Sequence, residues 1–167
     1  FPSRYPALWD EFRRKAVDAV VRDISRAARA ARPRCVVSAA VIRDLGRGRK
    51  VFFQDSPTWI RSGWIDDVLP MNYETSHARF EELARKDMAR AGKGHLILGL
   101  GVHLMDGGAD LRRQVGIARA LKSPGYSLFA YSSFFATTSH ASTKGQLAER
   151  NREALRCELI QLNRRRR

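Results

Sequence analysis

Cysteine is nearly absent from the sequence, and the residues that most often hold metals are scattered. Two cysteines among 167 residues, Cys35 and Cys157, do not make a disulfide framework, and we expect both to be buried free thiols. The four histidines show neither an HExxH pattern nor paired-ligand spacing, and no CxxC pair occurs. The sequence therefore predicts no metal site and no cofactor.

Long apolar runs are also absent. The longest uninterrupted runs are far shorter than the roughly 18 residues that a membrane-spanning helix needs, so we expect no membrane span. No basic segment followed by an apolar stretch marks a signal peptide. Because the chain starts with a phenylalanine rather than a methionine, we interpret its N-terminus as a cut.

Several motifs of enzymes and nucleotide-binding proteins are missing as well. There is no GxSxG motif for a serine hydrolase, and GLGVHL has no third glycine opening a helix, as a dinucleotide site requires. Gly46 and Gly48 lack the spacing of a phosphate-binding loop. We therefore predict a mobile surface loop at residues 43–50.

Positive charge is abundant by contrast. Lysine and arginine number 31 against 17 acidic residues, which gives a formal net charge of +14. Such a surplus favours acidic partners, either nucleic acid, anionic glycans or membrane surfaces. The basic residues are spread along helical faces, however, and the only dense run is at 164–167. We interpret the charge mainly as a solvated surface, with weak polyanion binding as the alternative.

Apolar periodicity predicts alternating helices and strands. The predicted helices span residues 6–32, 58–62, 76–91, 110–121 and 143–162, and the predicted strands span residues 34–42, 65–69, 95–104 and 126–135. The apolar face of the first helix consists of Trp9, Phe12, Ala16, Val20, Ile24, Ala27 and Ala31. The first strand is almost entirely apolar, which is typical of a strand covered on both faces. This alternation predicts an α/β fold with a parallel sheet, either an open doubly wound sheet or part of an eight-stranded barrel.

The stretch at 63–74, GWIDDVLPMNYE, is the most informative part of the chain. A glycine opens a short apolar strand, and Asn72, Tyr73 and Glu74 follow where that strand ends. In parallel α/β proteins, ligands bind at the carboxyl ends of the strands. We therefore predict that Asn72 and Tyr73 bind substrate at the rim; if Asn72 points into the barrel, Val68, Pro70 and Glu74 share its side.

Other polar side chains are expected at the same rim. In the third strand Gly99 and Gly101 precede His103, and glycines inside a strand mark either a close ligand or tight packing. Hydrogen-bonding and stacking groups of this kind suit a sugar. The remaining candidates for sugar binding are Ser38, His103, Tyr131 and Ser132.

Carboxylates decide between sugar binding and sugar hydrolysis, because glycoside hydrolysis needs two of them. Glu74 is the best placed candidate for a catalytic residue, and the alternative is that it pairs with one of the many arginines. Asp66 and Asp67 lie at the N-terminal side of their strand, where they cap or pair. We expect Asp55 to cap a helix and Asp106 to lie in a turn.

The order of several motifs resembles one known family. FP at the start, WDEFRRKAVDAVVRDI, VVSAAVI, FQDSPTWIRSGWIDDVLPMNYE, GLGVHL, LRRQVGIARA and GYSLFAYSS are similar to the C-terminal half of the glycosyl-hydrolase-like family 10 domain. That family resembles a (β/α)8 TIM barrel related to the α-amylase-like hydrolases. The most specific part of the resemblance lies at 54–73, and the whole covers about residues 1–133.

The resemblance implies that the chain is the C-terminal half of a barrel, with strands five to eight. Residues 1–33 would be the helix after the fourth strand, 34–142 the four strands with their helices, and 143–167 a terminal helix and basic tail. It also implies a catalytic aspartate upstream of residue 1, the N-terminal half of the same barrel as a partner, and an inactive isolated fragment. A polysaccharide substrate, bacterial cell-wall glycan among the possibilities, and an extracytoplasmic location would follow. A lone half would also expose strand edges that self-associate.

Overall fold

Four parallel strands form one sheet, in the order β1-β2-β3-β4, in the computed structural model, which describes residues 2–92, 95–135 and 149–164. The strands are β1 (Ser38–Ile42), β2 (Asp67–Met71), β3 (Leu98–Gly101) and β4 (Tyr126–Phe129). The helices are α1 (Pro6–Ala31), α2 (Leu45–Val51), α3 (Ser56–Arg61), α4 (His77–Ala91), α5 (Gly108–Ala120) and α6 (Glu149–Arg164). The predicted α/β fold with a parallel sheet is confirmed, and the arrangement is consistent with half of a barrel.

The core lies between one face of the sheet and the helices. Val41, Val68, Leu98 and Leu100 are no more than 1% exposed, and they pack with side chains of α4, α5 and α6. Because side chains alternate along a strand, the neighbouring residues point to the opposite face. Ser38 and Ala40 on that second face are exposed, and Leu69 and Met71 are partly exposed. The prediction that the first strand is covered on both faces is therefore wrong for the residues that the structure describes.

Helix α1 begins and ends within one residue of its predicted bounds, but the predicted apolar face points away from the core. Phe12, Val20 and Ile24 are 58–60% exposed, whereas Val17 and Val21 pack against the core. The exposed side chains follow one another at four-residue steps and form a single strip. We call this the α1 strip; its members are Leu8, Phe12, Ala16, Val20 and Ile24.

The segment at 43–50 is a helix rather than a mobile loop. Asp44 begins α2 and its carboxylate accepts a hydrogen bond from the Arg47 amide, at 3.2 Å. The buried carboxylate of Asp87 in α4 accepts from the backbone amides of Asp44 and Leu45, at 3.1 and 2.8 Å. Leu45 is 2% exposed. The helix forms because a distant aspartate satisfies its first amides, which no local pattern shows.

Three of the four strands are shorter than predicted, because pairing begins late or stops early at their ends, whereas β2 has the predicted length but lies two residues further along the chain. β1 begins at Ser38, which pairs with Asp67, the first residue of β2. β3 ends at Gly101, which pairs with Phe129, the last residue of β4. The chain then forms short 3-10 helices at Val102–Leu104 and Tyr131–Ser133.

The C-terminal part of the chain is described from Glu149 to Arg164 only. The predicted start of the last helix, at 143, and the arginines at 165–167 lie outside the described residues. Both cysteines are free thiols, as predicted, but the prediction of burial is wrong. Cys35 is partly exposed and Cys157 is exposed.

Candidate functional site

Three aromatic rings meet at the carboxyl edge of the sheet, on the face that the helices leave uncovered. The rings of Tyr73 and Phe129 stack with centroids 5.3 Å apart, and His103 meets both edge to face at 5.6 and 5.7 Å. Phe129 is 53% exposed. Partial burial raises the pKa of the Tyr73 hydroxyl, so this group stays a neutral donor and acceptor at physiological pH. We call Tyr73, His103 and Phe129 the aromatic rim.

The strand register and Gly101 explain why the three rings meet. Tyr73 lies two residues beyond Met71 and so shares its face, and Phe129 pairs with Gly101. A Cβ at Gly101 would lie 2.8 Å from the Tyr73 Cβ, so the ring occupies the space that this glycine leaves. His103 follows in the 3-10 helix, with Nδ1 3.2 Å from the Phe129 carbonyl oxygen. Tight packing is thus the reason for the glycines of the third strand, one of the two interpretations left open by the sequence.

Glu74 is held beside the rim from two sides. Its Oε1 lies 2.9 Å from Nη1 of Arg43, which also donates to the Tyr73 carbonyl oxygen at 2.5 Å. The buried Gln114 of α5 donates from Nε2 to the Glu74 carbonyl oxygen at 2.7 Å. The Glu74 side chain retains 19% exposure. This is the arginine pairing that the sequence offered as the alternative to catalysis, and it fixes the segment that carries Tyr73.

The structure places two predicted sugar-binding residues elsewhere. Asn72 is 1% exposed and donates from Nδ2 to the Phe80 carbonyl oxygen at 2.9 Å, so it points to the helices and not to the inner face. Asn72 therefore does not reach the sugar-facing rim, because it lies on the buried side of the strand together with Val68 and Pro70. Ser38 begins β1 and therefore lies about 13 Å from the carboxyl edge, at the opposite end of the strand.

Tyr131 and Ser132 follow β4 directly and lie in the 3-10 helix beyond its carboxyl end. Tyr131 is 70% exposed and stacks on Phe135, with ring centroids 4.6 Å apart. Ser132 is exposed. Both remain on the carboxyl side of the sheet, but the ring partner of Tyr131 is Phe135 and not a member of the aromatic rim.

Two of the other carboxylates discussed above, Asp66 and Asp55, have structural partners. Asp66 accepts from the Val37 amide at 2.7 Å and from Arg29, and these bonds hold its pKa below the ordinary value. Asp55 stands at the start of α3, as predicted, but its carboxylate accepts from Arg49 Nε at 2.8 Å instead of capping the helix. Asp55 therefore forms an ion pair with Arg49 instead of capping α3 through its side chain.

Sequence reasoning missed three residues of this region, namely Arg43, Phe129 and Gln114. Phe129 sits inside the predicted strand at 126–135, where nothing marks the end of pairing. Arg43 and Gln114 come from a predicted loop and from a helix face, and both act through backbone oxygens of the β2 end. Gln114 lies three residues after Leu111 and four residues before Ala118, so all three lie on one face of α5. This helical spacing was the available signal that Gln114 is buried.

A cavity of about 330 Å³ adjoins the rim at the ends of β1 and β2. Its apolar walls come from Ile42 and Met71, with the aromatic rings of Phe52 and Tyr73 beside them. Arg43 and Arg47 add positive charge, and they are the only charged residues among the described residues that line the cavity. The region therefore combines aromatic faces, an apolar wall and two guanidinium groups.

The described residues contain neither a candidate metal site nor a candidate membrane-spanning helix. None of their groups of histidine, cysteine, aspartate and glutamate has three members placed to hold a metal ion. None of the helices in the described ranges is both long and apolar enough to cross a membrane.

Comparison with known proteins gives one family. The model of a family described as glycosyl hydrolase-like 10 matches residues 1–127, which is well over half of the chain. Comparisons with curated proteins and with solved structures gave no match. The matched range includes α1, the first three strands and the Tyr73 and His103 positions of the rim, and the chain belongs to the glycosyl hydrolase-like 10 family.

Proposed function

We propose that this chain forms the saccharide-binding side of a glycosidase-like barrel, with the aromatic rim as its sugar platform. The observation that carries the proposal is the stacked pair Tyr73 and Phe129 at the carboxyl edge of the sheet, on the face that the described helices leave uncovered. Barrel enzymes bind their substrates at this edge. Aromatic faces pack against the C–H faces of sugar rings, and His103 offers a hydrogen-bonding group beside them.

The proposal includes a companion half that completes the barrel. Three features support it: β1 and β4 are unpaired sheet edges among the described strands, the second sheet face is uncovered, and the α1 strip is exposed. Four further parallel strands would pair both edges and close an eight-stranded barrel. Without that half, the same edges and apolar faces favour self-association.

Hydrolysis is the finer part of the proposal. We assign the acid/base or nucleophile role to Glu74, since it follows Tyr73 directly, and the second carboxylate to the companion half. In the completed barrel Glu74→Gln should lower kcat by about 100-fold or more, whereas Asp67→Asn, at the opposite end of β2, should not. Equal rates for Glu74→Gln and wild type would remove Glu74 from the chemistry. A bacterial cell-wall polysaccharide and an extracytoplasmic location are proposals that rest on the family resemblance.

Sugar binding is tested by removing one ring of the rim. Tyr73→Ala should weaken the affinity for an oligosaccharide ligand by about tenfold or more, because it removes a stacking face. Tyr73→Phe keeps the ring and should stay within about threefold of wild type. The matched control is Tyr131→Ala, which removes an exposed tyrosine outside the rim. Isothermal titration calorimetry measures all three, and unchanged affinity in Tyr73→Ala would contradict the proposal.

A further inference from the structure

Helix α2, which carries the sequence LGRGRKV, contributes to a second cavity next to the rim. This cavity has a volume of about 430 Å³, and its cationic walls come from Arg47, Arg49, Lys50 and Arg90, with Asp44 as the one acidic residue among the described residues that line it. Arg47 also lines the cavity of about 330 Å³ that contains Tyr73. The two cavities are therefore neighbours that share one lining residue, Arg47.

Most of the positive charge in the second cavity has no carboxylate partner. Arg49 pairs with Asp55, and the Asp44 carboxylate accepts the Arg47 amide hydrogen as it begins α2. Within the described part of the chain, no carboxylate lies within 4 Å of the charged groups of Arg47, Lys50 or Arg90. We call these three residues the α2 cation cluster.

The fold brings the cluster together and holds it. The guanidinium carbon of Arg90, from α4, would lie 2.9 Å from a Cβ at Gly46, so this glycine gives the arginine its place against α2. Asp87, one turn before Arg90, accepts the first amides of α2. The cations of two helices thus point to one concave surface, instead of being spread along a solvated helix face.

We propose that the α2 cation cluster is an anion subsite and that the saccharide bound at the rim carries a carboxylate on a sugar ring next to the one on Tyr73. This inference rests on the proposed function and names its substrate class. A guanidinium group binds a carboxylate through two parallel charge-assisted hydrogen bonds, and an ammonium group adds a point charge. The shared position of Arg47 in both cavities links the anion to the ring that stacks on the rim.

An acidic saccharide fits these features better than nucleic acid does. Sequence-independent nucleic-acid binding needs a positively charged groove that follows many phosphates. The cluster is a single concave site of a few charges beside one aromatic platform. A ring with one carboxylate matches that size and charge.

The test compares matched acidic and neutral sugars on the full 167-residue chain. Tetramers of galacturonate, mannuronate and guluronate are each titrated beside the same tetramer with its carboxylates reduced to alcohols. We expect at least one acidic tetramer to bind about tenfold more tightly than its neutral counterpart. Arg47→Gln should nearly abolish this tenfold preference and should leave the affinity for the neutral tetramers unchanged. Arg113→Gln is the matched control, because it removes an exposed arginine on α5, outside both cavities.

Each outcome separates the two proposals. Equal affinity for acidic and neutral tetramers overturns the anion subsite and leaves the proposed sugar platform in place. Equal losses in Arg47→Gln and Arg113→Gln, or binding of a ten-nucleotide DNA strand as tight as that of the acidic tetramers, also overturn it, because the attraction is then unspecific. Failure of the chain to bind any saccharide overturns the proposed function itself. Circular dichroism confirms that both variants are folded.

Discussion

Replacing Asp87 with alanine is expected to destabilise the protein by about 2–5 kcal/mol at pH 5, because it leaves one buried and one partly buried backbone amide without an acceptor. The carboxylate of Asp87 is 1% exposed and accepts from the amides of Asp44 and Leu45. These amides open α2, so the loss should also loosen the wall of the candidate site. Urea unfolding followed by circular dichroism measures the change. A loss below about 0.5 kcal/mol would contradict this role.

The same residue should give the protein a specific pH dependence. The pKa of Asp87 is raised from 3.8 to about 6; burial is the largest cause and the nearby Asp44 charge adds to it, while the two amides and Arg90 act in the opposite direction. Because the folded state holds this proton more tightly than the unfolded state, the contribution is fully present below pH 3.8. It is lost as the pH rises through 6, by about 3 kcal/mol.

Asp87→Asn isolates this effect, since the amide has a similar shape and does not titrate in this range. We expect the free energy of unfolding of the wild type to fall relative to that of Asp87→Asn as the pH rises from 4 to 7. Urea midpoints at four pH values in this interval give the curve. Two parallel curves would show that Asp87 does not titrate with a raised pKa.

The second large effect is expected at Gly99. An added Cβ there would lie 2.6 Å from the Pro70 carbonyl oxygen, a backbone atom of the neighbouring strand, so Gly99→Ala forces β2 and β3 apart. We expect a loss of about 1–3 kcal/mol, which corresponds to a fall in Tm of roughly 2–12 °C for a protein of this size.

Gly116 provides a control of the same chemistry with the opposite expected sign. It lies within α5, and nothing stands within 4 Å of a Cβ built there. Gly116→Ala should therefore stabilise the protein by about 0.5–1 kcal/mol, because alanine is the better helix former. Differential scanning calorimetry compares both variants with wild type. Similar Tm values for the two variants would contradict the close approach at Gly99.

The alternation of helices and strands could be predicted from the sequence because the periodicity of apolar residues is local. The order of the four strands and of five of the six described helices followed from it, and the bounds of α1 and α4 were predicted to within one residue. Which face of each element is covered could not be predicted in the same way. Phe12 and Val20 are apolar enough for a core, but they lie on the exposed α1 strip, since Val17 and Val21 already fill the space beneath.

The site was predicted in part for a related reason. Tyr73 and His103 follow strands, and the rule that ligands bind at carboxyl ends selects them directly. The rule gives no side-chain direction, so Asn72 was assigned to the rim although its amide group donates to the carbonyl oxygen of Phe80 in α4. Helix α2 could not be predicted at all, because its two glycines disfavour a helix and its stabilising partner, Asp87, is more than 40 residues away.

The central claim, that the aromatic rim is a saccharide site, is tested most directly by NMR. An oligosaccharide selected from a glycan array is titrated into the 15N-labelled chain, and the amide shifts are mapped on the structure. We expect the largest shifts at residues 72–74, 102–104 and 128–130, and Tyr73→Ala should abolish them. Shifts confined to the groove between α4 and α5, or to the N-terminal ends of the strands near Ser38, would contradict it.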